Sequence, residues 1–176
     1  MTRQQEEIKN GFTLIELIVS MAIFSLVMIT VLDIFLSGLG GVERIFGVQS
    51  VQESGRFMME SIAKEIRMSK LNSADGLALT SLPDGVSGPY YSLNVTNPNS
   101  QSISYVFDDV AKQVARAGEI LNSNDVEVAG RFYLVKNGAM QPRVIVSFGL
   151  INKTSQAKSQ TSINLQTTVS SREYYQ

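Results

Sequence analysis

The sequence predicts an α+β protein in which a long N-terminal helix, transmembrane at first and amphipathic further on, packs on a C-terminal antiparallel β-sheet head. Three observations lead there. Residues 12–36 form a long apolar run, residues 48–66 keep a helical hydrophobic period with charges opposite, and beyond residue 76 the period switches toward two. The boundaries that follow are a short charged leader at 1–11, a membrane helix at 12–36, a glycine-interrupted join and amphipathic helix at 37–71, and a β-rich globular head at 72–176.

From Phe12 to Leu36 the residues are mostly Leu, Ile, Val, Met, Phe and Ala. As a helix rising about 1.5 Å per residue, this run reaches roughly 37 Å, enough to cross a hydrocarbon core. Arg3 and Lys9 precede it and the next basic residue is Arg44, so the positive-inside rule favours a cytoplasmic N-terminus. A secretory signal peptide would have a shorter core with small residues at its far end, where Leu36-Ser37-Gly38 is a poor cleavage site. Asp33 lies some 31 Å along the helix from Phe12, near the opposite interface, where a solvated position suits it. Ser20, Ser25 and Thr30 can bond back to their own helix carbonyls and are assigned no chemistry.

The junction Lys9-Asn10-Gly11-Phe12-Thr13-Leu14-Ile15-Glu16 joins a charged leader to this run through a glycine and places one acid inside it. A carboxylate in a membrane helix costs on the order of 2.5 to 3.5 kcal/mol at the centre, less toward the interface, and is rarely placed there without a partner. The junction resembles the processing site of type IV prepilins and type II secretion pseudopilins. That resemblance implies cleavage by a prepilin peptidase after Gly11, methylation of the new N-terminus at Phe12, and a pilin-like fold. It also implies that Glu16 serves assembly, pairing with the N-terminal amine of a neighbouring subunit. Cutting at Gly11 would place the Phe12 amine one helical turn before Glu16, on the same face.

The same resemblance implies a filament subunit and not an enzyme. Its partners would be the prepilin peptidase, other pilin or pseudopilin subunits, an inner-membrane assembly platform and, before assembly, membrane lipid. Its location would be the cytoplasmic (inner) membrane, single-pass with the N-terminus inside, and then a pilus or pseudopilus in the envelope or at the cell surface. Many members carry a disulfide near the C-terminus; this chain, with no cysteine, departs from that pattern.

Composition narrows the chemistry. With no histidine and no cysteine, the chain cannot build a Ser-His-Asp or Cys-His nucleophile system, a thiolate zinc site or a c-type haem attachment. A formal net charge of −1 gives no electrostatic case for nucleic acid as a ligand of the whole domain, although a local basic patch for DNA stays open. No cofactor is expected. Asp75, Asp84 and Asp125 lie in loops and are the candidate oxygen ligands for calcium, but no EF-hand spacing links them. Asp108-Asp109 are adjacent carboxylates whose expected job is a hairpin turn, since neighbours on a strand face opposite ways.

Past the membrane run, Val48, Val51, Gly55, Met58, Met59, Ile62 and Ile66 recur at spacings of three and four, with Glu53, Arg56, Glu60, Lys64 and Arg67 on the other side. Glu60 and Lys64 stand at i and i+4 in the favourable order. Gly38, Gly40, Gly41 and Gly47 each lower helix propensity by about 1 kcal/mol relative to alanine, marking a place to bend or to melt partly when subunits pack.

Asn72-Ser73-Ala74-Asp75-Gly76 reads as the end of the helix. Strands are expected at 90–95, 103–107, 110–115, 126–135, 143–150 and 162–169, forming one antiparallel sheet against the helix. Asn97-Pro98-Asn99 and Asp108-Asp109 supply turns, Asn137-Gly138 a two-residue hairpin, and 152–160 a polar loop. Asp84-Gly85 and Gly88-Pro89 break up the approach to the sheet. The head stretches Asp125-Val126-Glu127-Val128, Arg131-Phe132-Tyr133, Pro142-Arg143-Val144-Ile145-Val146 and Leu165-Gln166-Thr167-Thr168-Val169-Ser170-Ser171-Arg172 are similar to J-type minor pseudopilins and minor pilins. Heads of that type bind calcium in some systems or join other minor subunits at a filament tip. The second function class open to the sequence is a single-pass membrane-anchored binding domain that does not polymerise.

Overall fold

The computed structural model describes residues 11–138, 141–153 and 160–171, so of the leader expected at 1–11 all but Gly11 lies outside the described residues. The chain divides into two compact units, Met1–Val42 and Glu43–Gln176. Helix α1 spans Leu14–Met68 and contributes to both.

In the first unit every described side chain is exposed, including Phe12, Ile15, Leu17, Ile18, Phe24, Leu32 and Phe35. A helix apolar all round and uncovered requires lipid or other helices around it. This part of α1 is long and apolar enough to cross a membrane. The hydroxyls bond as expected: Ser20 Oγ donates to the Glu16 carbonyl at 2.6 Å, Ser25 Oγ to Met21 at 2.8 Å and Thr30 Oγ1 to Val27 at 2.7 Å. Each hydroxyl is satisfied within its own helix.

In the second unit α1 buries Val51, Gly55, Met58, Ile62 and Ile66 and exposes Glu53, Arg56, Glu60, Lys64 and Arg67, the two faces that the period predicts. Val48 and Met59 are half-buried at the margin. Glu60 pairs with Arg56 at 2.8 Å and not with Lys64, the bond running one turn back along the helix. A Cβ on Gly55 would lie 2.7 Å from methyls of both Leu150 and Leu165, so glycine at 55 sets the close approach of the helix to its sheet. Gly38, Gly40, Gly41 and Gly47 all fall within α1, lowering its propensity without ending it.

The head contains two antiparallel sheets where one was expected. The larger comprises β1 (Lys70–Ala74), β2 (Leu77–Ala78), β4 (Ser92–Thr96), β5 (Ser102–Asp108), β6 (Gln113–Arg116) and β7 (Glu119–Ile120), in the order β2-β1-β4-β5-β6-β7. The smaller comprises β3 (Gly85–Tyr90), β8 (Val126–Lys136), β9 (Arg143–Asn152) and β10 (Ser162–Ser170), in the order β10-β9-β8-β3. One core joins both sheets to α1. Ile62 and Ile66 of the helix, Tyr105 and Phe107 of β5, and Phe132 and Phe148 of the smaller sheet are buried in it together. The Phe107 ring stands 4.8 Å from Phe132 and 6.1 Å from Phe148, and a Cβ on Gly130 would fall 2.6 Å from Phe107 Cε1. Glycine on β8 thus leaves the space that a ring from the other sheet fills.

The alternation expected for β8 and β9 is present: Val126, Val128, Phe132, Leu134, Val144, Val146, Phe148 and Leu150 are all buried. Other boundaries move for local reasons. Residues 72–74 do not end the helix, which stops at Met68; Leu71 and Ala74 are buried in β1, and the reversal comes at Asp75 and Gly76, with φ of 46° and 77°. Positive φ at both central residues suits a tight hairpin turn. The expected strand 90–95 is divided at Tyr91, because Tyr90 pairs with Phe132 and Ser92 with Val106 in different sheets. The Asp75 carboxylate holds that crossing by accepting the amide hydrogens of Tyr91 at 3.0 Å and Ser92 at 2.6 Å. Gly85 to Tyr90, expected to be a connection, is strand β3 on the edge of the smaller sheet.

Asp108 does turn the chain. Its carboxylate accepts the amide hydrogens of Val110 and Ala111 at 2.8 and 2.9 Å, which removes both from the ladder and delays β6 to Gln113. Asn97 turns β4 into β5, its side-chain oxygen accepting from Asn99 at 3.1 Å and Gln101 at 2.9 Å. The two-residue hairpin expected at Asn137-Gly138 is a longer connection, since β8 ends at Lys136 and β9 begins at Arg143, with residues 139–140 outside the described residues. Gly138 instead donates its amide to Asp84 at 3.2 Å. Of the loop expected at 152–160, Asn152 is a buried strand residue and 154–159 lie outside the described residues.

Candidate functional site at the start of the helix

Gly11, Phe12 and Thr13 precede α1, and all three are exposed. Among the described residues nothing beyond its chain neighbours lies within 4 Å of where a Gly11 Cβ would sit, and Phe12 is 83% exposed, so neither residue is packed into the described structure. A bond in such a segment is open to another protein's active site.

Glu16 is in the first turn of α1 and bonds to Thr13. The Thr13 amide and Thr13 Oγ1 each donate to Glu16 Oε2 at 3.4 Å, and the Glu16 amide donates to Thr13 Oγ1 at 3.3 Å. This reciprocal pattern is a capping box, Thr-x-x-Glu, which satisfies donors that a helix start leaves without partners. The bonds are long and therefore weak, and Oε1 takes no part in them. The carboxylate consequently holds the helix start through Oε2. The Thr-x-x-Glu spacing is legible in Thr13-Leu14-Ile15-Glu16 and gives Glu16 a capping role beside the pairing role expected of its charge.

A second charged cluster lies in the head, also unforeseen. Arg116 of β6 grips Glu65 of α1 with two bonds, Nε to Oε2 and Nη2 to Oε1, both 2.7 Å, and the buried Tyr105 hydroxyl donates to the same Oε2. The guanidinium holds the Glu65 carboxyl below the usual range, while burial, and then the adjacent carboxylate, push the Tyr105 phenol up. Both shifts move away from neutral pH, so neither group is poised as a general acid or base. The trio fastens helix to sheet. Asp109, the second member of the adjacent pair, bonds Arg131 Nη1 at 2.9 Å, and the Arg131 guanidinium stands 3.9 Å over the Tyr91 ring.

The three aspartates considered for calcium are not brought together. Asp75 caps Tyr91 and Ser92, Asp84 accepts from Gly138, and among the described residues no group of three or more acidic, cysteine or histidine side chains could hold a metal ion.

Residues 8–32 match the prokaryotic N-terminal methylation motif. The match covers the junction and most of the apolar run, and it supports the resemblance to type IV pilins and pseudopilins. It points to a structural subunit rather than an enzyme. No curated protein and no solved structure matches the chain significantly.

Proposed function

We propose that the chain is a prepilin-like structural subunit, cut by a prepilin peptidase after Gly11, methylated on Phe12 and assembled through α1 into a type IV pilus or a type II secretion or competence pseudopilus, as a minor subunit. The methylation motif at residues 8–32 carries this reading. The uncovered apolar surface of α1 fits it, because the same helix surface suits lipid before assembly and other subunits' helices afterwards. The chain would wait in the inner membrane with its N-terminus in the cytoplasm.

Processing gives the first test. In cells containing the peptidase, intact-mass analysis should find a mature chain beginning at Phe12 and carrying one methyl group. Gly11→Val should leave the leader attached in essentially all of the protein. A Gly11→Val chain that matures normally, or wild-type protein that retains Met1 in the presence of the peptidase, contradicts the reading and favours a plain anchored domain.

Glu16 gives the second. Glu16→Ala should insert and be cleaved, yet its recovery in sheared filaments should fall about tenfold, since an unpaired amine in a helix bundle costs more than 1 kcal/mol. Glu16→Gln separates the charge from the cap, because glutamine also completes a capping box. Equal loss with both variants assigns the effect to the carboxylate charge. Normal incorporation of both removes Glu16 from assembly.

A further inference from the structure

Among the described residues four strand edges terminate the two sheets, and one of them carries none of the usual protection. β2 and β7 are two residues long, and β3 contains Pro89 and a register shift between Ser87 and Tyr90. β10 is different. It pairs with β9 over nine consecutive residues without a shift, contains neither proline nor charge, and among the described residues has no strand on its other side. Long uncharged edges with unpaired amides and carbonyls are templates for another strand, which natural sheets usually blunt with lysine, proline or a bulge.

The direction of the free groups follows from the ladder. The Asn152 amide donates to the Thr161 carbonyl at 3.1 Å, so bonded pairs alternate from there, and the backbones of Ser162, Asn164, Gln166, Thr168 and Ser170 turn away from β9. Those five residues are also the exposed ones. Ile163, Leu165, Thr167 and Val169 point to the helix side, where Ile163 and Leu165 lie beside Val51 and Met59. The far end is fixed by the Ser171 hydroxyl, which donates to the Ser69 carbonyl at 2.5 Å.

Ser162-Ile163-Asn164-Leu165-Gln166-Thr167-Thr168-Val169-Ser170 is close to a palindrome in chemical type about Gln166. An antiparallel copy centred there sets Gln166 against Gln166, Asn164 against Thr168 and Ser162 against Ser170, all with backbones facing each other. Ile163 then meets Val169 and Leu165 meets Thr167 on the inner side. No charge meets a like charge, and every outward pair is polar against polar; on the inner side Ile163 meets another aliphatic side chain and Leu165 meets the methyl-bearing Thr167. Self-complementarity of this form is what a two-fold interface demands.

We propose that β10 is a self-pairing edge, through which two copies of the chain join their four-stranded sheets into one of eight, with Gln166 on the two-fold axis. This inference goes beyond the filament reading and does not depend on leader cleavage.

The natural absence of cysteine makes the test direct. Full-length chains carrying a single Gln166→Cys, purified in detergent and mildly oxidised, should form a disulfide dimer, since opposed bonded residues sit about 5.5 Å apart between Cα atoms, within disulfide range. Asn164→Cys or Thr168→Cys alone should give at least about tenfold less, because each lies several residues from its own copy, while a mixture of the two should cross-link. Val110→Cys, on the exposed β5–β6 turn, reports random collision. Gln166→Lys should abolish the dimer on sizing by placing like charges opposite each other. Circular dichroism confirms that each variant is folded. Equal yields at all positions, no dimer from Gln166→Cys, or a dimer that survives Gln166→Lys would overturn the proposal.

Discussion

Gly130→Ala is expected to destabilise the head by about 3 kcal/mol, lowering its thermal midpoint by roughly 10 °C. The added carbon would lie 2.6 Å from Phe107 Cε1, 2.7 Å from Phe107 Cζ and 2.6 Å from Phe148 Cβ. The first two atoms belong to a ring held between sheets, and the third cannot move without its backbone. Overpacking of this kind usually costs about 1 to 3 kcal/mol, and two stiff obstacles place the site at the upper end. Thermal unfolding of the full chain in detergent, followed by the β-sheet signal, measures it. Shortening the ring in Gly130→Ala/Phe107→Leu should recover only part of the loss, because Phe148 Cβ stays where it is. Gly55→Ala offers the contrast: its obstacles are the methyl ends of Leu150 and Leu165, which can rotate, and alanine adds about 1 kcal/mol of helix propensity, so its effect should be small. A neutral Gly130→Ala would contradict the packing of Phe107 across β8.

The second large effect is expected at Glu65. Glu65→Ala leaves Arg116 without its carboxylate and the buried Tyr105 hydroxyl without its acceptor, for a loss of about 3 kcal/mol. Helix and larger sheet are joined by those bonds, so the loss should appear as faster amide exchange in α1 around Ile62 and Ile66 as well as a lower midpoint. The pH dependence has a definite sign. Arg116 lowers the folded-state pKa of Glu65, so its stabilisation is fully present above the unfolded glutamate value of about 4.3 and is lost as pH falls through the folded value. Wild-type protein should therefore lose stability on acidification below about pH 4.3 more steeply than Glu65→Ala. Parallel curves for the two proteins would show that Glu65 is not held charged by Arg116.

What could be read from the sequence was whatever repeats at short range. Val51, Gly55, Met58, Ile62 and Ile66 gave away the buried face of α1 because helix geometry places them together whatever they touch. The alternation in β8 and β9 was equally plain, since each strand has one buried side. Alternation says which side is buried but not which sheet a strand joins. The division of 90–95 between two sheets depends on a carboxylate at Asp75, sixteen residues before Tyr91, and no local pattern signals that. β1 was hidden for a related reason: Asn72 and Ser73 are turn-formers in isolation, and pairing with β4 overrides them. Asn72 even uses its side chain across that pair, donating to Thr96 Oγ1 at 2.6 Å.

The junction was legible because its meaning is linear. Glycine, aromatic, hydroxyl and acid stand in a fixed order within six residues, and the structure leaves that stretch exposed and the acid at the helix start. The Glu65–Arg116 clamp, with partners 51 residues apart, could not be anticipated from spacing.

The capping box at Thr13 bears on what removal of the leader would change. Thr13 and Glu16 both lie beyond Gly11, so a cut there takes away none of the bonds that start α1. What it adds is a cation, the Phe12 amine, beside a helix end that already carries about half a positive charge from its aligned peptide dipoles. Like signs at that end disfavour the mature chain by several tenths of a kcal/mol, a cost that the chain's own Glu16 in the first turn offsets only in part because it is already bonded to Thr13. Proteolysis would in this way leave the helix intact and make its tip electrostatically demanding, turning an inert precursor into one whose end seeks a carboxylate.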